Sequence, residues 1–229
     1  NHEDNGLMAL VNVIPAVSSY AVAVPGSQGR PARVEVHDGS GDKVLGFVTP
    51  FPAFEGTPSV AMADVSGDNV LDLIVGTGPG VAPEVVAYSG ADGGQGPFSS
   101  ELARFTPFDP GFRGGVSVAG ADVDGNPSTD NIIVGSGPGT ESRVTVFSSA
   151  LPKMGDTPET FSTFTPYPGS RSGVTLATGT VDIGTGRPSI VTAPGPGEPA
   201  QVKTFRYDLY TPTETAKARG ATDEHSHDP

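Results

Sequence analysis

Residues 115–139 read GVSVAGADVDGNPSTDNIIVGSGPG: two apolar runs, an acidic loop between them and a Gly-Pro-Gly turn. The same order recurs in SVAMADVSGDNVLDLIVGTGPG, residues 59–80, and in GVTLATGTVDIGTGRPSIVTAPGPG, residues 173–197. Counted between the first polar residues of the loops, the spacing is 58 residues in both directions. A fixed spacing of this size is typical of repeat architectures, in which a unit buries its apolar face only when its neighbours stack on it.

This period divides the 229 residues into about four units, at 7–56, 57–113, 114–172 and 173–211 of a single domain spanning 1–219. Short Val- and Ile-rich runs bounded by Gly and Pro predict strands inside each unit. The predicted strands are 7–13, 20–24, 33–37, 44–49, 60–63, 72–75, 84–88, 102–105, 116–119, 131–134, 143–147, 160–164, 174–177, 189–192 and 201–207. No run shows a long helical period, so the sequence predicts an all-β chain.

Four short strands with turns between them are the content of one β-propeller blade. An open array of blades would expose strand edges and apolar faces at both ends, and closure into a ring removes both. We therefore expect an all-β β-propeller of about four blades, each a four-stranded antiparallel sheet, in a monomer. The alternative is a half-ring whose two copies complete an eight-bladed homodimer. After Tyr210 we expect at most a short helix, and a disordered tail at 220–229.

Charge and composition disfavour several classes of partner and site. The chain carries 13 basic and 26 acidic residues, a net charge of −13, which argues against nucleic acid and anionic membrane surfaces. It contains no Cys, so disulfides and thiolate metal sites are excluded. The apolar runs are far shorter than the roughly 20 residues of a membrane-spanning helix, so no membrane insertion is expected. The sequence starts with Asn rather than Met, for which we expect either a removed signal segment or trimming.

The loop between the first two strands of a unit carries the candidate chemistry. Oxygen-bearing side chains occupy loop positions 1, 3, 5 and 9: Asp64, Ser66, Asp68 and Asp72 in the second unit, and Asp122, Asp124, Asn126 and Asp130 in the third. Alternate oxygen ligands on a tightly turning loop can converge on one hard cation, with Gly67 and Gly125 permitting the turn. A backbone carbonyl, that of Val70 or Ser128, is free to add a ligand. The pattern predicts two Ca²⁺ sites, since zinc and copper prefer nitrogen and sulfur; the alternative is a solvated hairpin loop.

The segments GADVDGNPSTDNIIVGSGPG and MADVSGDNVLDLIVGTGPG resemble FG-GAP/VCBS repeats, the blade type of integrin-alpha propellers. FTPFDPGFRGGVSVAGADV and RVTVF resemble in particular the long Gly-rich bacterial version. The resemblance covers about residues 19–207. It implies propeller blades, calcium in the loop between a blade's first two strands, and an extracellular or cell-surface setting. Ser66 is a weaker ligand than the family's usual Asp or Asn. The fourth unit departs from the ligand pattern with Thr180, Asp182, Gly184 and Pro188, and the first unit has no such loop.

These features favour a non-catalytic module that binds a protein or glycan ligand or serves adhesion or structure. No nucleophile elbow, His-Glu-x-x-His motif or phosphate loop occurs in the sequence. The alternative is a secreted metal-dependent or carbohydrate-active enzyme on the same scaffold, because a carboxylate pair for glycoside hydrolysis is defined by spatial separation. His2, His225 and His227 in the polar tails could bind a transition metal, although such tails are usually only solvated.

Overall fold

The computed structural model describes residues 19–91, 93–94, 96–151, 156–181, 186–207 and 218–220. Within these ranges the chain forms four antiparallel β-sheets of three or four strands and no helix. In this part of the chain there is thus no helical segment long and apolar enough to cross a membrane. The prediction of an all-β chain is confirmed for the described residues.

Each sheet is a meander whose strands follow one another along the chain. The first sheet contains β1 (Ser19–Val24), β2 (Arg33–Asp38) and β3 (Val44–Val48). The second contains β4 (Ser59–Ala63), β5 (Asp72–Gly76), β6 (Val85–Tyr88) and β7 (Glu101–Phe105). The third contains β8 (Val116–Ala121), β9 (Asn131–Ser136), β10 (Val144–Phe147) and β11 (Thr160–Phe164). The fourth contains β12 (Val174–Gly179), β13 (Ser189–Pro194), β14 (Lys203–Tyr207) and β15 (Ala218–Gly220).

The strands predicted from the apolar runs are present, with small shifts at their ends, from β1 to β14. The predicted strand at 7–13 lies outside the described residues. The short helix considered after Tyr210 is not present at Ala218–Gly220, which form a strand that pairs with β14, and residues 221–229 of the predicted tail lie outside the described residues. The sequence Ala-Arg-Gly has no apolar alternation, so main-chain pairing with the edge of β14 defines this strand.

Neighbouring sheets pack face to face and enclose three apolar cores between them. β5 and β9 contribute side chains to a core on each of their two faces, which explains why both strands are continuous apolar runs. Each core contains fully buried residues from both of its sheets. These are Val34 and Leu73 between the first and second sheets, Ile74 and Ile132 between the second and third, and Ile133 and Ile190 between the third and fourth.

The four sheets form an open series in the described part of the chain. The first strands of the last three sheets, β4, β8 and β12, lie side by side. Between the first and fourth sheets the described residues make no comparable packing. The predicted closure into a propeller is therefore not confirmed, and the statement that stands is an all-β fold of four stacked antiparallel sheets.

The strand β1 corresponds to the second strand of the other sheets. Ala23 pairs with Val34 in the first sheet as Gly76 pairs with Val85 in the second, and both valines are buried against the following sheet. Within the described residues, the first sheet therefore has no counterpart of β4, β8 and β12, the first strands of the other sheets.

Gly-Pro-Gly turns follow β5, β9 and β13, at the end of the sheets opposite the acidic loops. They join neighbouring sheets through the main chain: Gly80 N, in the turn after β5, donates to Arg113 O, before β8, at 2.9 Å. Gly115 has a φ of 76°, and a Cβ there would lie 2.5 Å from the carbonyl carbon of Gly78. The contact between the turn after β5 and the segment before β8 therefore requires glycine at position 115.

Candidate functional site

The two acidic loops lie against each other at one end of the second and third sheets. Residues 64–71 connect β4 to β5, and residues 122–130 connect β8 to β9. A Cβ on Gly67 would lie only 2.8 Å from the carbonyl oxygen of Ser128, so the loops meet closely along their main chains. The predicted ligands of both units therefore belong to one continuous region.

Both loops begin with the same turn. Asp64 Oδ1 accepts a hydrogen bond from Gly67 N at 2.7 Å, and Asp122 Oδ1 accepts one from Gly125 N at 2.7 Å. The two glycines have φ angles of 80° and 83°, which L side chains rarely adopt. Asp64 and Asp122 therefore occupy equivalent places.

The outer part of the 64–71 loop is held by carboxylates that accept main-chain hydrogen bonds. Asp64 Oδ2 accepts from Asn69 N at 2.8 Å, and Asp68 Oδ1 accepts from Val70 N at 2.8 Å. Asp68 and Val70 are exposed, whereas Asp64 is half-buried. Asp68 is therefore the most solvent-accessible of the three predicted carboxylate ligands of this loop.

Asp72, the first residue of β5, is fully buried and clamps the loop. Its Oδ2 accepts hydrogen bonds from Val65 N at 3.0 Å and Ser66 N at 2.8 Å, and its Oδ1 accepts one from Gly90 N at 2.9 Å. Burial raises the pKa of the Asp72 carboxyl above its ordinary value, and the hydrogen bonds oppose this effect. A nearby cation would favour the ionised form of this carboxyl.

The hydroxyl oxygen of Ser66 is shielded from solvent and makes no hydrogen bond of normal geometry. It nevertheless lies close enough to Asp72 to lower the pKa of that carboxyl. Most buried polar atoms have a full hydrogen-bond partner. This oxygen has none, so it is available to coordinate a cation beside the carboxylates.

In the 122–130 loop, the predicted ligands are tied to side chains as well as to the main chain. Asp124 Oδ1 accepts from Asn126 N at 3.0 Å, and its Oδ2 accepts from Asn131 Nδ2 at 2.9 Å. Asn126 Nδ2 donates to Thr129 Oγ1 at 2.8 Å and to Ser149 Oγ at 3.1 Å. Both carboxylate oxygens of Asp124 thus already accept hydrogen bonds, whereas Asn126 makes these two bonds through its amide nitrogen.

Asn131, which the sequence pattern did not select, takes the place of Asp72 in the third sheet. It is fully buried, and its Oδ1 accepts hydrogen bonds from Val123 N at 2.9 Å and Asp124 N at 3.2 Å. The 122–130 loop is longer than its counterpart by one residue, so loop position 9 falls on Asp130 instead. The assumed equivalence of Asp72 and Asp130 is therefore wrong. The signal for Asn131 was its place directly before the run Ile-Ile-Val, which matches Asp72 before Leu-Ile-Val.

Asp130 hydrogen-bonds across the seam, the line along which the second and third sheets meet. Its N donates to Asp64 O at 2.7 Å, and its Oδ2 accepts from Asp64 N at 3.0 Å. Burial raises the pKa of the Asp130 carboxyl, and the Asp64 and Asp122 carboxylates raise it further. Three carboxylates from two neighbouring loops are therefore gathered in one partly buried region.

No Lys or Arg neutralises this region within the described ranges, where the ion pairs involve Glu35, Glu84 and Glu101 instead. The donor set consists of oxygens, which suits a hard cation such as Ca²⁺. However, these ranges contain no group of three or more His, Cys, Asp and Glu side chains arranged to hold a metal ion. The oxygen chemistry thus fits calcium, and the two calcium sites remain a prediction.

The described part of the corresponding loop of the fourth sheet, residues 180–181 and 186–188, contains neither a carboxylate nor a counterpart of the Asp72 clamp. Thr180 and Pro188 stand at two of the predicted ligand positions, while Asp182 and Gly184 lie outside the described residues. Ser189 occupies the place of Asp72 and Asn131, and its buried Oγ has no hydrogen-bond partner. The described part of this loop therefore offers no acidic ligand.

A shallow cleft of about 620 Å³ lies at the opposite end, among the turns between the second and third sheets. Phe112 contributes an aromatic surface, and Asp109 and Arg113 contribute one charge of each sign. The complete lining is Pro79, Asp109, Gly111, Phe112, Arg113, Gly114, Pro138, Gly139 and Thr140. The cleft is wide open to solvent, so it offers a surface for contact and no enclosed pocket.

Comparison with protein-family models finds no family that matches this chain, and comparison with curated proteins finds no significant match.

Proposed function

We propose that this chain is a calcium-stabilised binding module of the β-propeller type, acting without catalysis in an extracellular or cell-surface setting. The observation that carries the proposal is the pair of acidic loops, which lie against each other on neighbouring sheets and have no cationic side chain paired with them in the described residues. The resemblance of both loops to FG-GAP/VCBS repeats supports the same function.

The residues that would hold the cations are those of the repeated loop pattern. In the second sheet these are the side chains of Asp64, Ser66, Asp68 and Asp72 with the carbonyl of Val70. In the third sheet they are Asp122, Asp124, Asn126 and Asp130 with the carbonyl of Ser128. Ca²⁺ would supply the positive charge that this region lacks, which would offset the repulsion among carboxylates that burial has brought together.

The expected effect of calcium is to fix the loops, and through them the seam between the second and third sheets. Asp130 already hydrogen-bonds the main chain of Asp64 across this seam. A cation that binds only the folded chain adds stability in proportion to the logarithm of its concentration over its dissociation constant. Calcium would thus act as a structural ligand, leaving the cleft near Phe112 for a protein or glycan partner.

Calcium titration of the full chain by isothermal calorimetry tests the proposal, with two bound ions per chain as the expected result. At one hundred times the dissociation constant each site contributes about 2.7 kcal/mol. Since 1 kcal/mol shifts the melting temperature of a chain this size by about 2–4 °C, chelation should lower it by roughly 10–20 °C.

The matched control is Asp109→Ala, which removes an exposed carboxylate at the opposite end and should leave the stoichiometry and the chelation response unchanged. Failure to detect bound calcium, or an equal melting temperature with and without chelator, would refute the proposal.

A further inference from the structure

The exposed large apolar side chains of the described residues are concentrated on the two end sheets of the series. Tyr20, Val22 and Phe47 lie on the first sheet, with 39%, 38% and 70% of their surface exposed. Val181 and Val202 belong to the fourth unit, with 57% and 69% exposed. Scattered exposed apolar residues are ordinary, but apolar groups that share one face indicate an interaction surface.

On the first sheet, Tyr20, Val22 and Phe47 share the face that points away from the second sheet. Strand register places Tyr20 and Val22 of β1 where β5 carries Leu73 and Val75. Leu73 and Val75 are completely buried, because the first sheet covers them. The outer face of the first sheet is therefore equivalent to a face that the preceding sheet buries elsewhere in the series.

The far face of the fourth sheet, which points away from the third sheet, carries side chains whose counterparts are buried elsewhere in the series. Val202 stands at the repeat position of Val144, which is completely buried between the third and fourth sheets. Val181 likewise stands at the repeat position of Val123, which is 7% exposed in the same core. The far face of the fourth sheet thus carries the side chains that elsewhere pack on a following sheet.

A hydroxyl group on this far face matches those that join consecutive sheets. Ser59 Oγ accepts a hydrogen bond from Val118 N at 2.8 Å, and Ser117 Oγ donates to Val174 O at 2.6 Å. Thr175 occupies in β12 the position that Ser59 and Ser117 occupy in β4 and β8, and it is exposed. The fourth sheet therefore retains this hydroxyl, whereas the described part of the first sheet contains no counterpart of β8 or β12 to bond it.

We propose that the outer face of the first sheet in one copy of this chain packs on the far face of the fourth sheet in a second copy. Most apolar side chains of the two faces stand at positions that are buried where consecutive sheets pack inside the chain, although Glu35 replaces the buried Val86 between Val22 and Phe47 on the first-sheet face. The two faces belong to opposite ends of the series and make no comparable packing with each other within the described residues. The contact is head to tail, so it joins two different surfaces rather than one surface to itself.

A mixing experiment with two folded variants of the full chain tests this proposal. Phe47→Asp places a charge on the first-sheet face, and Val202→Asp places one on the fourth-sheet face. Burying an unpaired carboxylate should weaken association at least about a hundredfold, so each variant alone should be monomeric where the wild type associates. An equimolar mixture should form dimers, since each variant keeps the face that the other lacks.

Sedimentation velocity measures the association of the wild type, of each variant alone and of the equimolar mixture. Thermal melting monitored by circular dichroism confirms that both variants are folded. Thr160→Asp, at an exposed position on an inner sheet, is the matched control and should associate like the wild type. A wild type that stays monomeric at the highest concentration, a mixture of folded variants that does not associate, or a variant that still associates with itself would each overturn the proposal. The interface contains no predicted calcium ligand, so absence of calcium binding would leave it standing.

Discussion

The loops at 64–71 and 122–130 share their first halves and differ in their second halves. Each begins with an Asp that caps a tight glycine turn, and each ends at a buried residue whose oxygen holds two main-chain N–H groups. That residue is the carboxylate Asp72 in one loop and the neutral amide Asn131 in the other. The comparison teaches that the clamp requires a hydrogen-bond acceptor and does not require a charge.

The residue directly before the clamp also differs between the two loops. Asp130 lies one position before the clamp and hydrogen-bonds the main chain of the adjacent sheet. In the first loop the corresponding position is Leu71, which has no carboxylate to offer. In the third sheet, Asn131 therefore holds the loop while a separate residue, Asp130, joins the two sheets.

The largest expected effect comes from removing the clamp of the first loop. Asp72→Ala leaves the N–H groups of Val65, Ser66 and Gly90 without their acceptor, at a cost of about 3–5 kcal/mol. Asp72→Asn, which copies Asn131, keeps an oxygen for Val65 and Ser66 but turns an amide nitrogen towards Gly90 N, at a cost of about 1–2 kcal/mol. Urea unfolding in the presence of a chelator measures both. An Asn variant as unstable as the Ala variant would show that charge matters at this position after all.

A smaller effect is expected from removing the first ligand of one loop. Asp122→Ala should abolish the calcium contribution of the third-sheet loop, about 2.7 kcal/mol at one hundred times the dissociation constant. Asp182→Ala, in the fourth-unit loop, should leave the calcium response unchanged; Asp182 itself lies outside the described residues. Calorimetric titration should find one ion fewer per chain in the first variant alone. Equal losses in the two variants would contradict ligand assignment by repeat register.

The smallest effect is expected at the seam. Asp130→Ala removes the acceptor for Asp64 N and should cost about 1–2 kcal/mol, measured in chelator so that no cation contributes. Asp130→Asn keeps an acceptor oxygen and removes the charge that the Asp64 and Asp122 carboxylates repel, so it should cost less. If the Asn variant is the less stable of the two, Asp130 serves chiefly as a charge and not as a bridge between sheets.

The strand positions could be predicted from the sequence because the apolar runs coincide with the faces that stacking buries. Ile132 and Ile133, for example, point into cores on opposite sides of β9. Closure could not be predicted reliably, because it depends on the relation between the first and fourth sheets, and no residue pattern within a unit encodes that relation. β15 was missed because main-chain pairing alone defines it.

The acidic loops lie between the first two strands of their sheets, as predicted, but the register of loop position 9 differs between them, and the calcium sites stay a prediction. Spacing between acidic residues led to Asp130, since both loops carry an Asp at position 9. The structure aligns the loops by hydrogen bonding instead, and this alignment selects Asn131. Counting from the apolar strand backwards would have found the clamp, because the strand is the part fixed by packing.

The contacts between a Gly-Pro-Gly turn and the glycine that precedes the next sheet bear on how this chain can change during evolution. Surface turns usually accept substitutions and insertions more readily than the strands they connect. Here a Cβ on Gly115 would collide with the main chain of Gly78, and one on Gly173 would approach the carbonyl carbon of Gly137 to 2.9 Å. The turn glycines therefore tolerate substitution less well than many residues on the strands. Sequence drift in this molecule is expected to spare its glycine-rich rim and to accumulate on its outermost strands.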